Sequence, residues 1–184
     1  MKRSTAISIA SGVAVAAIGG IFLYSRATRP PVINKKVPEP AKPVDLERYL
    51  GKWYELARHE NRFEKGLDAV TAEYALLEDG KISVTNSGTL NGERSVSEGK
   101  AIIADEETGA KLKVSFFGPL YTGDYWVLDH GDDYEWSIVG EPSGRYLWVL
   151  SREAVPPSAM AQKVMKRVEE LGYDRWALRI TRQG

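Results

Sequence analysis

From residue 51 onward the chain is a succession of short stretches in which apolar and polar residues alternate, each closed by a turn signal. Alternation with period two is the pattern of a strand with one face on a core, whereas a helix repeats its apolar positions every three or four residues. VTAEYALL (70–77) runs into Glu78-Asp79-Gly80, and KISVTNSG (81–88) leaves it. An Asp-Gly pair between two such runs predicts a hairpin, because tight hairpin turns need positive φ. RSVSEGKAII (94–103), KLKVSFF (111–117), DYWVLD (124–129), YEWSIVG (134–140) and YLWVLS (146–151) follow. With GKWYELAR (51–58) they make eight strands, and this spacing predicts an all-β meander that closes as a barrel or stacks as a sandwich.

One helix interrupts the series. SAMAQKVMKRVEELGY (158–173) places Met160, Val164, Val168 and Leu171 on one face, after Pro156 and Pro157 and before Gly172. WALRIT (176–181) reads as a last strand. YLWVLS is apolar on both faces, so it is expected to lie between the helix outside and an apolar interior, with Trp148 inward. YEWSIV alternates, which predicts Tyr134, Trp136 and Ile138 inward and Glu135 and Ser137 in water.

The N-terminal part has a different character. Lys2 and Arg3 precede an uncharged run from Ser4 to Ser25. In a helix such a run spans about 33 Å, enough to cross a bilayer, and Ser25 and Ala27 also suit a signal cleavage site. Residues 1–27 are therefore expected to be a signal or anchor that attaches the chain to a membrane. Pro30, Pro31, Pro38, Pro40 and Pro43 mark residues 28–43 as an extended linker, and residues 44–184 as the folded domain. Residues 1–44 hold seven Lys/Arg and one Asp/Glu, while the remainder holds 18 and 24. An acidic folded part argues against a nucleic-acid partner, which needs a basic footprint. The absence of cysteine excludes disulfides, thiolate chemistry and a lipidated Cys.

Gly51 and Trp53 stand where the linker meets the first strand, a corner followed at once by a large apolar group. With the eight strands and the helix in place, GKWY resembles the first signature of the lipocalin family, G-x-W. GDYWVL, with Asp124 and Tyr125, resembles the second, although Gly123 stands where Thr is frequent. LSR, ending in Arg152, is similar to the third. NRFEKGLDAVTAEY, KVSFFGPLYTGDYWVL and YLWVLSRE look like the bacterial outer-membrane lipoprotein branch, and the resemblance covers about residues 44 to 181. It implies an eight-stranded antiparallel up-and-down barrel with one C-terminal helix packed outside. It also implies Arg152 stacked on Trp53, so that Gly51, Trp53 and Arg152 plug one end of the barrel. The lipidated Cys of that branch does not carry over.

The family implies binding or transport of small hydrophobic molecules in the cell envelope, and the bacterial branch implies fatty acids or lysophospholipids. Tyr74, Leu76, Phe116, Trp136, Ile138 and Trp148 are the inward candidates, Tyr121 a candidate for the mouth, and Glu55 is inward by parity with Trp53. A buried carboxylate needs an Arg or a wet cavity opposite it. A barrel filled by these side chains, with a structural role in the envelope, is the competing reading. Enzyme signatures are missing. His59 and His130 have no metal-ligand spacing, Ser87 in TNSGT lacks the first Gly of a nucleophile elbow, and Gly92 and Gly99 are too far apart for a phosphate loop. Neither a metal nor a cofactor is expected.

Overall fold

The computed structural model describes residues 29–184 apart from Phe117. The expected anchor over residues 1–27 lies outside the described residues. The strands are β1 (Gly51–His59), β2 (Asp68–Leu76), β3 (Ile82–Leu90), β4 (Glu93–Ile103), β5 (Lys111–Ser115), β6 (Gly123–His130), β7 (Trp136–Gly140) and β8 (Leu147–Ser151). Each pairs antiparallel with the next, and β1 pairs with both β2 and β8, so the sheet closes into the expected barrel. The hairpin predicted at Asp79-Gly80 is present, with Leu76 opposite Ile82. A short helix, α1 (Leu46–Tyr49), precedes β1 and has no strong sequence signal, being a single turn capped by the Asp45 side chain on Arg48 N. The predicted last strand is β9 (Leu178–Ile180), preceded by a 3-10 turn over Arg175–Ala177. It pairs with Ala57–His59 of β1, and Ala69 N donates to the Arg182 carbonyl. The C-terminal segment thus fills the gap where β1 and β2 have parted.

The up-and-down order gives the barrel two unlike ends. Turns β2–β3, β4–β5 and β6–β7 lie at the end closed by Trp53, and loops β1–β2, β3–β4, β5–β6 and β7–β8 form the other end. The core has two layers. Trp53, Tyr74, Ile82, Val84, Leu112, Val127, Val139 and Leu150 pack inside. Outside, Val164, Val168 and Leu171 at the α2 helix (Ser158–Glu170) pack on Ala57, Leu128, Trp136, Ile138, Leu147 and Val149. Val164 and Val168 are fully buried, each stabilising the contact by about 1.5–3 kcal/mol. The prediction for β8 holds, with Trp148 and Leu150 inward and Leu147 and Val149 under the helix.

The prediction for β7 is corrected. Trp136 and Ile138 point out beneath α2, while Val139 and Ser137 point inward. The helix covers β7 as well as β8, so the outer face of β7 is dry. A serine is tolerated inside because Ser137 Oγ hydrogen-bonds Tyr49 Oη at 2.9 Å.

The proline-rich stretch is laid against the barrel and does not behave as a free spacer. Ile33 N and Asn34 N donate to the Gly144 carbonyl at 2.8 and 3.1 Å, Ala41 N donates to the Leu128 carbonyl at 2.8 Å, and Val44 N donates to the Thr108 carbonyl at 2.7 Å. Asn34 Nδ2 donates to the Leu171 carbonyl at 3.0 Å, and Ile33 and Val37 pack on the outer core. Gly144 has φ +65, and a Cβ there would meet the Asn34 carbonyl oxygen. The prolines keep the segment extended, and two apolar side chains between them supply the contact.

Candidate functional site

At the closed end, Gly51 adopts φ +88, a left-handed conformation that turns the chain out of α1 into β1. Trp53 is then set inward with no exposed surface, and its Nε1 donates to the Tyr49 carbonyl at 2.9 Å. The Arg152 guanidinium lies 3.8 Å from the indole centroid. Its nitrogens donate to the carbonyls of Arg48, Tyr49, Lys52 and Tyr134 at 2.7–3.3 Å. The cation therefore satisfies the carbonyls left open where α1 ends and β1 begins.

Above the plug the interior is polar. The hydroxyls of Tyr49 and Tyr74 meet that of Tyr125 at 3.0 and 2.9 Å, and Tyr49 also meets Ser137. Burial pushes Tyr49 up to about 12 and raises Tyr74 and Tyr125 as well, so the three remain neutral phenols. Tyr74 thus lies inside the barrel, in a floor that joins β2, β6, β7 and α1.

Beyond this floor the barrel opens into a cavity of about 390 Å³, within the range of small-molecule sites. Val70, Val114, Phe116 and Trp148 line its wall, together with Asn86 and Ser87 of β3 and Ser95 and Ser97 of β4. Trp148 stacks on Tyr146 with 5.8 Å between centroids, and Phe63 faces Tyr146 at 6.2 Å. Trp148 Nε1 donates to Glu64 Oε2 at 2.8 Å, so a loop residue fixes the indole. Arg29, Arg62 and Arg145 border the opening.

Among the residues singled out in the sequence, Phe116 and Trp148 line the cavity and Tyr74 lies beneath it. The other placements differ. Trp136 faces α2, as described. Tyr121 is half-buried outside the lining, where Thr122, Gly123 and Asp124 take the place expected for it. Glu55 is buried but does not line the cavity. Its Oε1 accepts from Arg58 Nη1 at 2.7 Å and from the Thr181 hydroxyl. Leu76 lies at the end of β2 and is exposed.

Arg58 is a residue that sequence reasoning missed. The β1–β8 register shifts between Glu55 and Ala57, and this bulge returns Arg58 to the side of Glu55. Arg58 is completely buried, and besides Glu55 it donates to Glu60 and to the carbonyls of Glu64 and Leu67 at 2.5–3.2 Å. Glu64 and Leu67 line the cavity, so the ion pair shapes the β1–β2 loop that walls the site. Burial, followed by the nearby Glu64 carboxylate, pushes Glu55 up to about 7, against the pull of Arg58. Phe63 and Glu64 were likewise not singled out, although both stand in NRFEKGLDAVTAEY, a stretch quoted for the family resemblance.

The profile of the lipocalin-like domain matches residues 44–183. The outer membrane lipoprotein Blc of Vibrio cholerae is 44% identical over 144 residues, covering 75% of this chain and 84% of that protein. Temperature-induced lipocalin-1 of Arabidopsis thaliana is 41% identical over 150 residues, covering 77% of this chain and 80% of its own length. Among solved structures, insecticyanin from the tobacco hornworm Manduca sexta superposes with a TM-score of 0.65 at 25% identity, over 80% of this chain and 86% of its own.

Proposed function

This chain belongs to the lipocalin family, and from that premise we propose that its cavity binds and carries an acyl lipid in the cell envelope. Fatty acids and lysophospholipids are the ligand classes meant, and the role is binding rather than catalysis. The observation that carries the reading is the shape of the interior. The lower barrel is filled by Trp53 and the tyrosine floor, whereas the upper barrel is open and walled by Val70, Val114, Phe116 and Trp148. An alkyl chain entering it gains about 0.8 kcal/mol per buried methylene, against the cost of ordering chain and loops. Arg29, Arg62 and Arg145 at the opening suit a carboxylate or phosphate held at the mouth.

Neither His59 nor His130 lines the cavity, and both are tied to backbone carbonyls, His59 to Arg145 at 2.6 Å and His130 to Gly131 and Pro43 at 2.7 and 3.1 Å. That favours a carrier over an enzyme. The outer membrane lipoprotein relatives support an envelope location, reached here through residues 1–27 rather than a lipidated Cys.

The test is titration of the delipidated domain with fatty acids and lysophospholipids of increasing length, read by intrinsic fluorescence. Affinity should rise with length until the cavity is full. Trp148→Ala removes a wall and should weaken binding by about tenfold or more, equivalent to ~1.4 kcal/mol. No saturable binding by a folded domain would leave a structural envelope role in its place.

A further inference from the structure

The described chain starts at the rim of the barrel. Arg29 lines the mouth, and Arg145 Nη1 donates to the Pro30 carbonyl at 2.6 Å. From there the bonds of Ile33, Asn34, Ala41 and Val44 hold the segment along the wall to the closed end. Arg29, the first described residue, therefore lies at the open end. Only three residues, Arg26, Ala27 and Thr28, separate Arg29 from the uncharged run that ends at Ser25. Three residues reach about 10 Å when extended.

We propose that the open mouth of the barrel faces the lipid surface in which residues 4–25 are seated, so that ligand passes between cavity and bilayer at close range. This rests on reading residues 4–25 as a membrane anchor. Had the proline-rich stretch been a free spacer, the barrel would sit at any angle and some 40 Å away. Strapped down, it leaves only a short tether at the mouth.

Charge runs the same way. The three closed-end turns carry eight carboxylates (Glu78, Asp79, Asp105, Glu106, Glu107, Asp132, Asp133 and Glu135) and one basic residue, Lys81. The open-end loops carry Arg62, Lys65 and Arg145 against Glu60, Glu64 and Glu141, and Arg29 adds to the basic side. All three of those carboxylates already accept hydrogen bonds, from Arg58, from Trp148 and Asn61, and from Ser143 with the Arg145 amide. Anionic headgroups attract the basic groups of the open end and repel the acidic turns of the closed end. Leu120 on the β5–β6 loop and Leu90 at the β3–β4 turn are exposed at the same rim, at 70% and 43%. Apolar tips among basic groups fit the headgroup–acyl boundary of a bilayer.

The natural chain has no cysteine, so single probes are easily placed. Leu120→Cys and Leu90→Cys mark the rim, and Glu107→Cys marks the closed end. Each full-length variant is labelled with an environment-sensitive fluorophore and mixed with vesicles of phosphatidylethanolamine and phosphatidylglycerol. The chain should pellet with the vesicles, and emission from the rim labels should shift to the blue while the Glu107 label stays unchanged. Pelleting without a rim shift, or with equal shifts at both ends, would overturn the orientation and leave the anchor standing. Failure to pellet would overturn the anchor and the orientation together. A rim shift already present before vesicles are added would mean that the apolar segment covers its own barrel mouth, which also overturns the proposal.

Discussion

Replacing Arg58 by methionine is expected to destabilise the domain by about 3–5 kcal/mol, since it leaves the Glu55 carboxylate buried without its partner. The same change frees the carbonyls of Glu64 and Leu67, so the loop bearing Phe63 and Glu64 should loosen and ligand binding should fall with it. The loss should depend on pH. Glu55 has its pKa raised in the folded state from an ordinary 4.5 to about 7. The folded protein thus holds a proton that the unfolded chain has released, and the stability this group contributes is fully present below 4.5 and lost as pH rises through 7. Without Arg58 the carboxylate has less reason to ionise, so the variant should be far weaker at pH 8 than at pH 5. Glu55→Gln in the Arg58→Met background should recover part of the loss and flatten the pH profile. Denaturant melts of the unmodified protein, Arg58→Met and the double variant at both pH values check this. Equal losses at pH 5 and 8 would mean that Glu55 is not the group left stranded.

The reason this pair escaped sequence reasoning is specific. Along an unbroken strand, residues 55 and 58 face opposite sides, so Arg58 did not offer itself as the Arg that a buried Glu55 needs, and Glu55 stood among the candidate ligand contacts. The bulge at Glu55–Ala57 reverses that parity, and nothing in ELAR announces it. Trp136 was misplaced for a related cause. Alternation shows which residues share a face, but not whether water or a helix covers it, and α2 turned out to cover two strands. The strands themselves were legible because every hairpin combined alternation with Gly, Asp or Asn at the turn. Their boundaries came out close to expectation, whereas their number and order left barrel and sandwich open, and the closed barrel came from the family resemblance.

The strap shows where composition misleads. Five prolines in fifteen residues from Arg29 read as a solvated spacer, and proline does keep the segment extended. What composition averages away is the position of Ile33, Asn34 and Val37, which meet Gly144 and the end of α2. Their partners lie more than a hundred residues away, so no local window contains the contact. The cavity wall has the same property. Phe116 was found because it continues the alternation of KLKVSFF, and Trp148 because it lies on a strand apolar on both faces, whereas Arg62, Phe63 and Glu64 come from a loop whose course is set by Arg58.

At the other end of the barrel, Trp53→Ala should cost about 3–5 kcal/mol, the usual range for deleting a buried indole. Arg152→Ala should cost less, about 1–3 kcal/mol, since the guanidinium keeps one edge near water while it stacks on the ring and serves four carbonyls. The two losses should not add. With the indole gone, Arg152 still caps α1 but has lost the ring beneath it, and with Arg152 gone, Tyr49 keeps its bond to Trp53 Nε1 while Arg48 and Lys52 lose a donor. Removing both therefore deletes the stacking energy once, and the double variant should lose ~0.5–2 kcal/mol less than the sum. Strict additivity in denaturant melts would mean that the two side chains do not stack in solution. Ligand titration of the same variants adds a second constraint. The floor of Tyr49, Tyr74 and Tyr125 lies between the plug and the cavity, so Arg152→Ala should keep its affinity for acyl lipids where Trp148→Ala does not. Stability and binding would then separate along the barrel axis, the plug governing one and the upper wall the other.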